Sequence, residues 1–153
     1  MQEPDRKQQR WRTEVVSEGE WAGWFRRERG DSFEGLTGPY YSRRGDDGRL
    51  RAAFRAERKH MNGGGFMHGG CLMTFADFVL FMLARESLGP GYGVTATLNA
   101  EFIGSVHVGE LVEGTGEVVK AGGSLIFVRG EVTSAQQAVL TFSGVIKKMK
   151  PRA

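Results

Sequence analysis

From His60 to Leu88 the chain reads HMNGGGFMHGGCLMTFADFVLFMLARESL, and Gly89-Pro90 follows at once. Between Cys71 and Ala84 the apolar side chains Leu72, Met73, Phe75, Ala76, Phe78, Val79, Leu80, Phe81, Met82 and Leu83 fall on every side of a 3.6-residue wheel. That pattern predicts a helix buried all round. At roughly 18 residues it nears the length of a membrane span, but Asp77 interrupts it at the middle and Gly89-Pro90 stops it. A carboxylate inside such a helix is costly to bury unless a partner satisfies it or a reaction uses it.

The front of the helix is equally unusual. Five of the eight residues Gly63-Gly64-Gly65-Phe66-Met67-His68-Gly69-Gly70 are glycine, which leaves the backbone bare for the close approach of another chain or a ligand. A helix start offers unpaired N–H groups and the positive end of the dipole, suited to a phosphate or to an oxygen that turns negative during acyl transfer. Gly69 and Asp77 stand about 12 Å apart along the helix rise. Two groups that act on one carbon must each come within roughly 3 Å of it. If both act in one reaction, they come from two copies of the chain, packed antiparallel in a symmetric dimer.

The remaining composition narrows the class. A chain of 153 residues is expected to form one domain with a proper core. The single cysteine, Cys71, excludes an internal disulfide framework and fits a reducing cytoplasm. The N-terminus carries no apolar signal, and no stretch reads as a plain membrane span. The net charge of +3 gathers in Arg6, Lys7, Arg10 and Arg12, in Arg26, Arg27 and Arg29, and in Lys147, Lys148, Lys150 and Arg152. It reads as solvated surface, or as attraction for an anionic small molecule. No motif ties it to nucleic acid. Three scattered histidines and one cysteine give no metal-ligand spacing, and no Lys-Ser/Thr pair follows the glycines to make a P-loop.

Ser17-Glu18-Gly19-Glu20 has capping-box spacing, and Trp21, Trp24 and Phe25 follow at helical intervals. A short amphipathic helix to about Arg29 is therefore expected within an N-terminal extension, residues 1–35. The main domain, residues 36–150, opens with a hairpin across Tyr40–Arg44 and Arg49–Ala56. Behind Gly91, Val94 to Ile103 alternates, with Val94, Ala96, Leu98, Ala100 and Phe102 on one face and Thr95, Thr97, Asn99, Glu101 and Ile103 on the other. Residues 111–120, 124–133 and 139–148 give three more strands, joined by Ala121-Gly122-Gly123 and Ser134-Ala135-Gln136-Gln137. Short connections imply an antiparallel meander that curls round the helix, an α+β architecture.

His60-x-Asn62-x-x-Gly65-x-x-His68-Gly69-Gly70, with Asp77 seven residues on, resembles the hotdog-fold thioesterases of the phenylacetate-degradation (PaaI-like) group. The resemblance runs from about Tyr40 to Lys148. It implies a curved antiparallel sheet wrapped around a long central helix, and an acyl-CoA thioesterase that acts without cofactor or metal as a homodimer or a dimer of dimers. In such an enzyme the Gly69 N–H would polarise the thioester carbonyl. Asn62 would orient the water or the thioester, and His68 would hold the loop or face the thioester sulfur. Asp77, from the other subunit, would be base or nucleophile, and Thr95 matches a position where a Ser or Thr helps hold the water. Gly70, Phe66, Met67, Phe78, Phe81 and Met82 would line a site for an aryl or medium-chain acyl group.

Each residue also has a plain structural reading. Asp77 can be a buried acid paired with Thr95 or with backbone, Asn62 a turn cap, His68 a loop anchor and Thr95 a routine strand former. His60 and His107 read as structural or exposed. Cys71 lies where a helix start lowers a thiol pKa, but without a base partner it reads as packing. The competing functional class is a non-catalytic acyl-CoA binder of the same fold.

Overall fold

The computed structural model describes residues 12–27 and 32–150. In chain order they form β1 (Thr13–Val15), β2 (Phe25–Arg27), α1 (Ser32–Thr37), β3 (Tyr41–Arg44), β4 (Leu50–Arg55), α2 (Gly69–Leu88), β5 (Tyr92–Phe102), β6 (Leu111–Ala121), β7 (Leu125–Ser134) and β8 (Gln137–Met149). The strands make one antiparallel sheet in the order β1-β2-β3-β4-β6-β7-β8-β5. The meander expected from the short connections is β6-β7-β8. β5 reaches it from outside and pairs with β8, because the helix between β4 and β5 carries the chain across the sheet. Ala135 and Gln136 turn the β7–β8 corner with φ of 48° and 64°, the twisted geometry that tight hairpins prefer.

The sheet curls round α2, as the apolar wheel predicts. Leu72, Phe75, Ala76, Val79 and Leu80 are buried against Phe54, Val112, Ile126, Leu140 and Ile146. Strand glycines let the helix sit close. A Cβ on Gly114 would lie 2.5 Å from Val79 Cγ2 and 3.1 Å from Phe75 Cε1, and one on Gly144 would lie 2.7 Å from Leu80 Cδ1. Bulky helix side chains thus fill the gaps that missing side chains leave on the strands. The helix is not buried all round, however: Met73, Thr74, Asp77 and Phe81 form a half-open stripe on the single chain. No helix among the described residues is long and apolar enough to cross a membrane.

The N-terminal helix expected over Ser17–Arg29 is absent from the described part of that range. Residues 13–27 form a β-hairpin instead, closed by Val16 N–H to Trp24 O (2.8 Å) and Gly23 N–H to Val16 O (2.9 Å). Gly19 and Gly23 have φ of 77° and 83°, conformations glycine adopts freely and a helix cannot contain. The spacing of the aromatics serves a turn as well as a helix: Trp21 stacks on Tyr41 at 4.2 Å and meets Trp24 edge-on at 5.3 Å. β2 pairs with β3, so this hairpin extends the same sheet. The short helix α1 precedes β3, closed by Gly38 N–H to Glu34 O at 2.7 Å. Residues 28–31 and 1–11 lie outside the described residues.

Candidate active site

The glycine-rich stretch is a small hairpin that aims the start of α2. His68 N–H donates to His60 O (2.9 Å), Met61 and Met67 bridge, and Asn62 N–H donates to Phe66 O (2.8 Å). Asn62 Oδ1 accepts from Gly64 N–H at 2.8 Å, an Asx turn that fixes the tip. The turn-cap reading of Asn62 therefore describes its oxygen, while its amide nitrogen donates to none of the described residues. At the neck, His68 is the N-cap of α2: its Nδ1 accepts from Gly70 N–H at 2.8 Å. This bond puts the ring proton on Nε2, on an exposed edge. It also commits the Gly70 amide. The Gly69 N–H, at the first helical position, has no acceptor among the described residues, so one amide stands ready for an incoming oxygen.

Two turns along α2, Asp77 Oδ1 accepts from Thr95 Oγ1 at 2.6 Å. Strict alternation puts Thr95 among the polar residues of β5, facing away from the helix. The structure reverses this through a β-bulge. Thr95 pairs with Ile146 and Thr97 with Val145, leaving Ala96 as the extra residue. Gly93 and Thr95 on one side of the bulge, and Leu98, Ala100 and Phe102 on the other, all face α2, while Val94 turns outward and is 43% exposed. The bulge re-aims one hydroxyl at the carboxylate. Its sequence signal was the conflict itself, since alternation and motif spacing disagree about Thr95.

The residues expected to line a pocket separate. Phe81, one turn beyond Asp77, shares its face and lies beside Gly93, where a Cβ would stand 3.3 Å from Phe81 Cε1. Phe66 is 43% exposed at the loop tip. Met67 is buried, tied by its N–H to Val106 O at 2.8 Å. Phe78 turns to another side of the helix, 5.2 Å from the Tyr40 ring with the Arg27 guanidinium 5.7 Å above it; Met82 lines the same small chamber. Cys71 is half-buried, and burial pushes its thiol up to about 11, opposite to the lowering that a helix start alone implies.

His60 holds the loop from below. It is buried, its Nδ1 accepts from Glu57 N–H at 2.9 Å, and its Nε2 lies 2.7 Å from Thr37 O, to which it donates. Burial, the dominant cause, lowers its pKa from 6.5, because a proton on Nδ1 would face the Glu57 N–H in an apolar setting. The unfolded chain then binds more protons at low pH than the folded one. The stability linked to this group is full above pH 6.5 and is lost as pH falls through the folded value. Thermal melts from pH 7.5 to 5 are expected to show a falling midpoint for the native chain. His60→Gln should start lower and lose less over that window; parallel slopes would contradict this role.

A long helix cradled by a curved antiparallel sheet defines a scaffold of the hotdog type, which here carries one open amide at the helix start and a hydroxyl-braced carboxylate two turns on. The comparisons agree. The thioesterase superfamily profile matches residues 64–141. Protein PA0474 of Pseudomonas aeruginosa is 35% identical over 111 residues, covering 72% of this chain and 83% of its own. Human acyl-coenzyme A thioesterase 13 is 27% identical over 99 residues, 63% of this chain and 69% of its own. A mutant of the phenylacetic acid degradation protein PaaI from Thermus thermophilus superposes with a TM-score of 0.66 at 24% identity, over 78% of this chain and 100% of that one. The chain belongs to the thioesterase superfamily, has the hotdog fold and is a thioester hydrolase.

Proposed function

We propose that the protein hydrolyses the thioester of an aryl- or medium-chain acyl-CoA, with no metal or cofactor, in a site shared by two copies of the chain. The carrying observation is the split of the machinery along α2: an unbonded Gly69 N–H at its start and the Thr95-braced Asp77 about 12 Å further on. In this reading the thioester oxygen sits on the Gly69 amide of one chain, with the Asn62 amide and the outward Nε2–H of His68 beside the sulfur or the water. Asp77 of the other chain takes a proton from water as it attacks, or attacks the carbonyl itself. The negative oxygen that forms is stabilised by the N–H and the helix dipole. The thiolate then leaves and takes up a proton. With water as the nucleophile the carbonyl closes directly to the acid; with Asp77 as the nucleophile it closes to a mixed anhydride that a water then splits, releasing the acid and restoring the carboxylate.

Two surfaces support a second copy. Met73, Thr74, Asp77 and Phe81 are partly open on the single chain. β5 pairs only with β8 among the described strands, so its other edge, 11 residues long, is unpaired, with Val94 and Phe102 exposed at 43% and 53%. A long unpaired edge of this kind is a template for another strand. A dimer that pairs β5 with its mate covers edge and stripe together, and a dimer of dimers extends it. The acyl group would then lie against Phe81 and Phe66, near Gly70. The acyl-CoA class follows the human relative's name. The cytoplasmic setting rests on the lone Cys71.

A thiol-release assay over a panel of acyl-CoAs tests this reading. Release with saturable kinetics is expected; tight binding with no release would make the protein the non-catalytic binder instead.

A further inference from the structure

Phe102 ends β5 on the face that looks toward α2, opposite the fully buried Leu140, yet it is itself 53% exposed. Its ring lies along the first residue of the helix. A Cβ on Gly69 would stand 3.2 Å from Phe102 Cε1, 3.5 Å from Cζ and 3.8 Å from Cδ1. The glycine leaves room for the ring, and any side chain at residue 69 would press on it. What it touches is the residue whose amide has no acceptor among the described residues.

We propose that Phe102 is a positioning residue for the thioester carbonyl: its ring shields one flank of the Gly69 amide, so that the carbonyl oxygen approaches from the remaining side and meets an N–H with little competing water. This rests on the thioester-hydrolase site proposed above. His68 Nδ1 takes the neighbouring Gly70 amide and His68 O takes the Cys71 and Leu72 amides, so the helix start presents one open donor. An N–H dipole stabilises a developing negative oxygen more strongly where water is excluded. A hydrocarbon ring excludes water without offering a competing hydrogen bond.

The test is a steady-state comparison of the native protein, Phe102→Ala, Phe102→Leu, Gly69→Ala and the double variant Gly69→Ala/Phe102→Ala, each with its thermal midpoint. Phe102→Ala is expected to lower kcat about tenfold with KM little changed, at a midpoint close to native. Phe102→Leu should recover most of kcat, because bulk and not aromaticity is needed. Gly69→Ala crowds the same ring, so the two changes act on one contact and the double variant should be no slower than the slower single one. A native kcat in Phe102→Ala, a loss that appears in KM alone, or losses that multiply in the double variant would overturn the proposal. Asp77→Asn in the same assay separates the two levels. If the native protein releases thiol and Asp77→Asn does not, a fully active Phe102→Ala defeats the shielding role and leaves the thioesterase reading intact.

Discussion

Asp77→Asn is expected to cut kcat for acyl-CoA hydrolysis by about 10³-fold or more, the range spanned by loss of a positioned general base. KM should move little. The substitution is close to isosteric, and its side-chain oxygen can still accept the Thr95 hydroxyl now held at 2.6 Å. The helix should therefore fold unchanged and any loss be one of chemistry. Circular dichroism and the thermal midpoint check the fold, and thiol release checks the reaction. Activity within about tenfold of native would remove Asp77 from proton transfer, leaving it the structural acid that its bond to Thr95 also allows.

Gly116→Val is expected to be the most damaging substitution outside the site. Gly116 in β6 pairs with Gly130 in β7. A Cβ there would run into the Arg129 carbonyl oxygen and stand 2.7 Å from Gly130 Cα and 3.0 Å from Leu83 Cδ1. Two of those three obstacles are backbone of the neighbouring strand, which cannot rotate out of the way as a side chain can. Either β7 or α2 must shift. Overpacking without a soft neighbour costs about 3 kcal/mol or more, a large part of a typical domain's 5–15 kcal/mol or so. The variant should be insoluble or melt far below native. Gly123→Ala, where a Cβ meets nothing within 4 Å, is the control and should be near neutral. A native-like midpoint for Gly116→Val would show that the helix does not depend on these gaps.

The contrast between these glycines and Asp77 shows what the sequence could carry. Helix α2, its stop at Gly89 and the four long strands were legible because local patterns dictate them: an all-round apolar wheel, period-two alternation and turn residues. Of the candidate site, the start of α2 at His68 and Gly69 and the place of Asp77 on that helix were legible, because motif spacing and helix physics coincide there. The role of Gly116 and Gly130 was not, since a strand glycine reads only as a weak point until the partner across the sheet is known. The bulge at Ala96 was hidden for a similar reason: one extra residue inverts every facing after it, and only the pairing to β8 reveals it. The N-terminal hairpin was misread because Trp21, Trp24 and Phe25 satisfy a helical interval. The backbone conformations of Gly19 and Gly23, which rule the helix out, leave no trace in that interval. Phe102 against Gly69 joins residues 33 apart in sequence, beyond the reach of any local pattern.

The claim on which the mechanism turns is that each site takes its amide from one chain and its acid from another. Gly69→Pro removes the amide hydrogen, and its ring also presses on Phe102, whose Cε1 would lie 3.2 Å from a Cβ there. Proline is favoured at a first helical position, and the preceding His68 has φ −62° and ψ 133°, the extended conformation that a following proline requires. Differently tagged Gly69→Pro and Asp77→Asn chains, co-expressed and purified through both tags, give a mixed dimer. In it one site has lost both groups and the other keeps both. Each variant alone should be nearly inactive, and the mixed dimer should regain about half of native kcat per dimer. A mixed dimer no more active than its parents, or a native chain that sediments as an active monomer, would contradict the account.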